Sequence, residues 1–87
     1  MKQIFKITFP NNKIYIGKDL SGTLTYFGSF DPLSVKADYL NIRISNFTLK
    51  KEILWESETA DDAELSKREA QYIAIFGSTD PKIGYNK

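Results

Sequence analysis

The chain contains neither cysteine nor histidine, and those two absences bound the chemistry it can carry. Without a thiol there is no thiolate nucleophile, disulfide or cysteine-bound zinc. Without an imidazole there is no histidine-based triad, imidazole base or histidine–metal cluster. Any catalysis must run on carboxylate, phenol, amine, guanidinium, amide or a bound ion. One carboxylate stands out: Leu65, Glu69, Tyr72, Ile73 and Phe76 recur at i, i+4, i+7, i+8 and i+11, a single helical stripe whose apolar face Glu69 interrupts. Taking an ionised carboxylate out of water without a partner costs several kcal/mol. Three arrangements would compensate it: an ion pair with Lys or Arg, an edge position that reaches solvent, or a hard cation such as Mg²⁺. Such a cation is commonly held by one or two carboxylates and keeps waters for chemistry. Lys36 repeats the anomaly with opposite sign among Leu33, Ala37 and Leu40, although a lysine stem can carry its ammonium from such a face to water.

The elements that must position these groups read clearly in part. Gln3 to Phe9 alternates polar and apolar side chains, and Lys13 to Gly17 is rich in β-branched and aromatic residues. Pro10-Asn11-Asn12 between them is turn chemistry, so the spacing predicts a β-hairpin. Residues 18 to 30 hold Ser21-Gly22, Tyr26-Phe27 and Gly28-Ser29 without helical period and are expected to be loop. Asp31-Pro32 has the character of an N-cap with proline at the first helical position, and Leu33, Lys36, Ala37 and Leu40 then follow at helical spacing. Phe47 to Trp55 predicts a strand of imperfect period. The run from Glu56 to Glu64 has five acidic residues and no basic one. It is either a partner-binding patch or, more simply, a helix cap with acids in the first turn. The last helix is expected from about Ala60 to Phe76, with Gly77 as its stop.

Eighty-seven residues with 41% apolar and 14% aromatic composition fill one small core, so residues 1–87 are expected to form a single domain. A chain of this size buries only about 60% of its unfolded surface, which leaves little stability to spare. The net charge of +1 hides a division, +4 from Met1 to Trp55 and −3 thereafter. The basic half either faces an anionic polymer or is simply a solvated surface. Neither a signal-peptide pattern nor an apolar run of about 18 residues occurs, so a soluble, cytoplasmic protein without membrane contact is expected.

Ile4-Phe5-Lys6-Ile7-Thr8, followed by Asn11-Asn12-Lys13-Ile14-Tyr15-Ile16-Gly17-Lys18, resembles the opening hairpin of the GIY-YIG endonuclease family. Asn46-Phe47 with Lys50-Lys51-Glu52-Ile53-Leu54 is similar to the third strand of phage-type members. Lys67-Arg68-Glu69-Ala70-Gln71-Tyr72-Ile73 is similar to the helix of the family's catalytic glutamate, and Asp80-Pro81 with Gly84-Tyr85-Asn86 to its closing motif. Each piece alone is common; the four in order span almost the whole chain.

The resemblance implies an α+β fold with a small three-stranded antiparallel sheet flanked by helices. It also implies a DNA endonuclease that hydrolyses phosphodiester bonds with Mg²⁺ or Mn²⁺. By the same resemblance Tyr15 activates or positions the attacking water, Glu69 ligates the metal and Asn86 helps hold the site together. Lys36 stands near the place of the family's helical arginine, with Arg43 as its rival, and Lys13, Lys18 and Arg43 join Lys36 as phosphate contacts. Two further positions differ from the family pattern: Phe5 replaces its first tyrosine and Gln3 the associated glycine. These departures make a catalytically weakened or inactive binding module the alternative, one that would use the Tyr26-Phe27 loop to contact nucleic acid or protein. No length remains for a DNA-targeting domain, so little sequence selectivity is expected unless a second copy or a separate targeting partner supplies it.

Overall fold

The computed structural model describes residues 1–22, 26–30, 32–39 and 48–87. Two strands, β1 (Lys2–Thr8) and β2 (Ile14–Asp19), form the expected hairpin. Its turn closes by hydrogen bonds from the Phe9 amide to the Lys13 carbonyl and from the Asn12 amide to the Phe9 carbonyl, both 2.9 Å. Asn12 takes the left-handed conformation at φ 69°, which asparagine tolerates better than most residues. Helix α1 (Pro32–Tyr39), strand β3 (Lys50–Ser57) and helix α2 (Asp62–Phe76) complete the chain. The sheet is antiparallel throughout, in the order β2-β1-β3. The molecule is therefore a small α+β fold with a three-stranded sheet and two helices. Among the described residues, no helix is long and apolar enough to cross a membrane.

β1 is the central strand and is covered on both faces, so its alternating side chains feed two cores. Ile4 joins Ile16 and Leu65 beneath α2, with Tyr72, Ile73 and Phe76 packed against them. Phe5, Ile7 and Phe9 join Val35 and Tyr85 on the opposite face, where Tyr15, Phe27 and Phe30 pack around them. The stripe read on the last helix is thus the face that α2 buries. The helix starts at Asp62, two residues later than expected. Asp61 is its N-cap, accepting a 2.8 Å hydrogen bond from the Glu64 amide, and Gly77 is a left-handed C-cap at φ 66°. The acidic run therefore serves largely as helix-start chemistry.

β3 departs from its expected bounds. It runs on through Glu56 and Ser57, and Phe47 lies outside the described residues. Ile4 pairs with Trp55 while Phe5 pairs with Ile53, so Leu54 is an extra residue at a bulge, which is why the hydrophobic period of this segment is broken.

The face expected for α1 is corrected. Leu33, Lys36 and Ala37 lie on its exposed side, Leu33 at 73% exposure, and the buried residue is Val35. Leu40 lies outside the described residues, as does Asp31. Eight residues fix helical phase weakly, and here a polar attachment overrides the apolar count. Asp38 is held by the Lys13 ammonium at 2.6 Å and the Tyr85 hydroxyl at 2.7 Å, and the Tyr39 hydroxyl accepts from the Asn11 amide at 3.2 Å. These contacts turn Val35, Asp38 and Tyr39 toward the hairpin.

Candidate functional site

β2 is an outer strand, and its free edge is where the site is built. The C-terminal segment lies along that edge: the Ile14 amide donates to the Ile83 carbonyl at 3.0 Å and the Tyr85 amide to the Ile14 carbonyl at 2.9 Å. Gly84 is required there, because a Cβ would come within 2.6 Å of the Ile14 carbonyl oxygen. Asn86 then continues the ladder with its side chain. Its Oδ1 accepts from the Ile16 amide and its Nδ2 donates to the Ile16 carbonyl, both at 2.8 Å. A carboxamide carries the same donor and acceptor as a peptide group, so Asn86 acts as one more paired residue and fixes the strand beside Tyr15.

Beyond this clamp opens a pocket of about 590 Å³ that receives side chains from both faces of β2. Tyr15 and Asp19 enter from the face shared with Phe5. Lys18 enters from the other, where its ammonium donates to the Ser66 hydroxyl of α2 at 2.9 Å. Glu69, one turn beyond the buried Leu65, lines the same pocket, as do Leu20 and Ser21 after the strand. The remaining wall is the loop of Tyr26 and Ser29. Gly28 at φ 90° brings that loop so close that a Cβ would overlap the Tyr15 ring. The Ser29 amide consequently donates to the Tyr15 hydroxyl at 3.2 Å.

The electrostatics are those of a cleft short of positive charge. Burial raises the Glu69 carboxyl above its ordinary range, and the Lys18 charge offsets this in part. Glu69 makes no ion pair or hydrogen bond with the described residues. Burial likewise raises the Tyr15 phenol. The Ser29 amide works against that rise, while the charge of Glu69 and the neighbouring Tyr26 add to it. Tyr15 is therefore a neutral phenol at neutral pH, a donor and orienter rather than a preformed base. Asp19 is 4% exposed, and its Oδ1 accepts from the amide and hydroxyl of Ser21.

Of the residues singled out in the sequence, Tyr15, Lys18 and Glu69 meet in this pocket and Asn86 braces it from behind. Lys36 stands on the exposed side of α1 and does not line the pocket. Lys13 is bound to Asp38. Arg43 lies outside the described residues. Sequence reasoning missed Asp19 and Ser29 as pocket groups and offered Tyr26 only as a loop contact of the binding-module reading. Their signal was faint: an aromatic pair beside Gly-Ser in a stretch without period, and one aspartate two positions past the glycine of β2.

Phe5 is fully buried, with its Cζ end against Gly17 and the Tyr26 ring edge-on at 5.9 Å between centroids. A phenol absent from β1 is thus matched by one that the loop brings alongside. For a hard cation the donor chemistry fits in one respect: Glu69 is a half-buried carboxylate with no direct partner among the described residues. The described residues contain no cluster of three or more Asp, Glu, His or Cys groups arranged to hold an ion, so water and a ligand's own oxygens would have to complete such a shell. No protein-family model, curated protein or solved structure gives a significant match to the chain.

Proposed function

We propose that the chain is a divalent-metal-dependent DNA endonuclease of GIY-YIG type, hydrolysing phosphodiester bonds with Mg²⁺ or Mn²⁺ and little intrinsic sequence selectivity. The observation that carries this reading is the placement of Glu69. A carboxylate that interrupts a buried helical stripe, with no ion pair among the described residues, opens into a pocket that also holds Tyr15 and Lys18.

Glu69 would hold the cation, with water and the substrate's own oxygens completing its shell. The cation would supply charge stabilisation to the phosphoryl group and its leaving oxygen. Tyr15, kept neutral and aimed by the Ser29 amide, donates its proton to orient the attacking water or a phosphate oxygen. Lys18 contributes a point charge to the substrate phosphate. Asn86 positions rather than reacts, since both its amide groups are committed to Ile16.

A binding module without catalysis is the second reading, and a specific observation favours it: among the described residues, no guanidinium lines the pocket, and Lys36 faces away from it. Nicking of supercoiled plasmid with Mg²⁺ or Mn²⁺, run beside Glu69→Ala, decides between them. Metal-dependent nicking lost on substitution supports the nuclease; intact plasmid together with measurable DNA binding supports the module.

A further inference from the structure

The pocket has few charges with which to grip a nucleic acid. Lys18 is the one cation among its described lining residues, and it faces two carboxylates. Elsewhere four basic residues are matched by carboxylates. Lys2 lies 3.0 Å from Asp62, Lys6 3.4 Å from Glu52, Lys13 2.6 Å from Asp38 and Arg68 3.6 Å from Glu64. Such surface pairs add little stability, but each cancels a charge that a phosphate backbone would otherwise meet. Duplex binding without base contacts depends on basic groups along the backbone, and the described lining of the pocket supplies a single one.

The pocket instead presents an aromatic ring. Tyr26 is 37% exposed on its rim and is nevertheless held at both ends. Its carbonyl accepts from the Lys51 ammonium at 2.7 Å, and its hydroxyl shares a 3.1 Å hydrogen bond with that of Ser29. The edge-on contact with buried Phe5 fixes the ring between these ends. A partly exposed ring held by its hydroxyl and by a neighbouring ring, on a backbone that is itself anchored, is preorganised to bind, because little side-chain freedom is left to lose. Nucleobases stack on such rings whatever their identity, provided they are not already stacked in a duplex.

We propose that Tyr26 is a stacking platform for an unpaired base of single-stranded DNA, whose adjoining phosphate then reaches the Tyr15–Lys18–Glu69 side of the pocket. This deepens the nuclease reading by naming its substrate form, and it rests on that reading for the fate of the phosphate. Recognition is chiefly apolar, so affinity depends only weakly on salt.

The test is fluorescence anisotropy in EDTA, where cleavage plays no part, with a labelled oligothymidine and a labelled duplex of equal length. The single strand is expected to bind several-fold tighter than the duplex, with a log–log salt slope of about 1 to 2. Tyr26→Phe keeps affinity within about twofold, whereas Tyr26→Ala loses about 5- to 100-fold. Tyr26→Leu fills the same space without a π face, guards against a folding defect in the alanine variant, and should lose affinity equally. The proposal is overturned by a duplex that binds as tightly, by no binding to either probe, by an unaffected Tyr26→Leu, or by a Tyr26→Phe loss as large as that of Tyr26→Ala. Cleavage of the labelled single strand and nicking of plasmid in Mg²⁺ or Mn²⁺ report on the nuclease reading separately: a wild type that cuts neither ends that reading while the anisotropy still decides whether the ring captures a base.

Discussion

Glu69→Gln should make the metal-free protein more stable while destroying its proposed activity. The carboxylate is half-buried with no direct partner among the described residues, where the Lys18 charge offsets its desolvation in part. A fully buried unpaired polar group costs about 1–3 kcal/mol or more. Partial exposure at this site reduces that to about 0.5–1 kcal/mol, and glutamine keeps the shape while removing the charge. For a domain of this length the gain corresponds to roughly 2–8 °C in Tm.

The pH dependence carries the sign. Folding raises the Glu69 carboxyl, so the folded state binds that proton more tightly than the unfolded chain does. The wild type's handicap is complete above the folded value and vanishes as pH falls below the unfolded one. The gap between wild type and variant is therefore full near neutrality and closes through the carboxylate range. A bound divalent cation reverses it: at ten times its dissociation constant, Mg²⁺ or Mn²⁺ adds about 1.4 kcal/mol to the wild type alone. Thermal melts by circular dichroism, in EDTA and in a Mn²⁺ series at two pH values, read all three effects. A Gln variant that melts lower in EDTA at neutral pH, or a Mn²⁺ shift equal in both proteins, would refute the argument that Glu69 is a desolvated carboxylate awaiting a cation.

Asn86→Ala should cost about 1–2 kcal/mol, because it removes two 2.8 Å hydrogen bonds and unpairs both polar groups of Ile16. Chemical denaturation measures the loss, and Asn86→Asp, which keeps the acceptor and forfeits the donor, should recover part of it. The polar attachment of α1 predicts two pH limits. Hydrogen bonds from Lys13 and Tyr85 lower the Asp38 carboxyl, so its contribution is present above the ordinary aspartate value and lost as pH falls through the lowered one. Tyr85 is raised to about 12, chiefly by burial and then by Asp38, so the neutral phenol contributes on the order of 2 kcal/mol below pH ~10, lost as pH climbs through about 12. Tyr85→Phe should shrink the alkaline phase of a Tm–pH profile, leaving the part due to Tyr15; an unchanged profile would contradict the assignment.

What could be read from sequence, and what could not, follows from how locally each feature is determined. The hairpin was legible because alternation, Pro10-Asn11-Asn12 and the β-branched strands all act within about fifteen residues. Helix α2 was legible because its stripe repeats through four turns, enough to fix phase and to expose Glu69 as the misfit. α1 was misread because eight residues allow two faces, and the deciding interactions, Lys13 and Tyr85 on Asp38, are 25 and 47 positions away. Leu54 could not be recognised as a bulge from its own segment, since only pairing with β1 reveals the extra residue.

The pocket divides along the same line. Its strand and helix members, Tyr15, Lys18 and Glu69, sit on periodic elements and could be named in advance, whereas its loop members could not. Tyr26 and Ser29 matter only through a fit with Tyr15 and Phe5 that Gly28 permits at φ 90°, and no spacing rule encodes a fit. Phe5 shows the consequence most directly. On the strand alone it is a lost hydroxyl, but in the fold its ring supports the loop that returns a phenol to the same cleft. A position that weakens the catalytic reading in one dimension therefore becomes, in three, the support on which the proposed base stacking would depend.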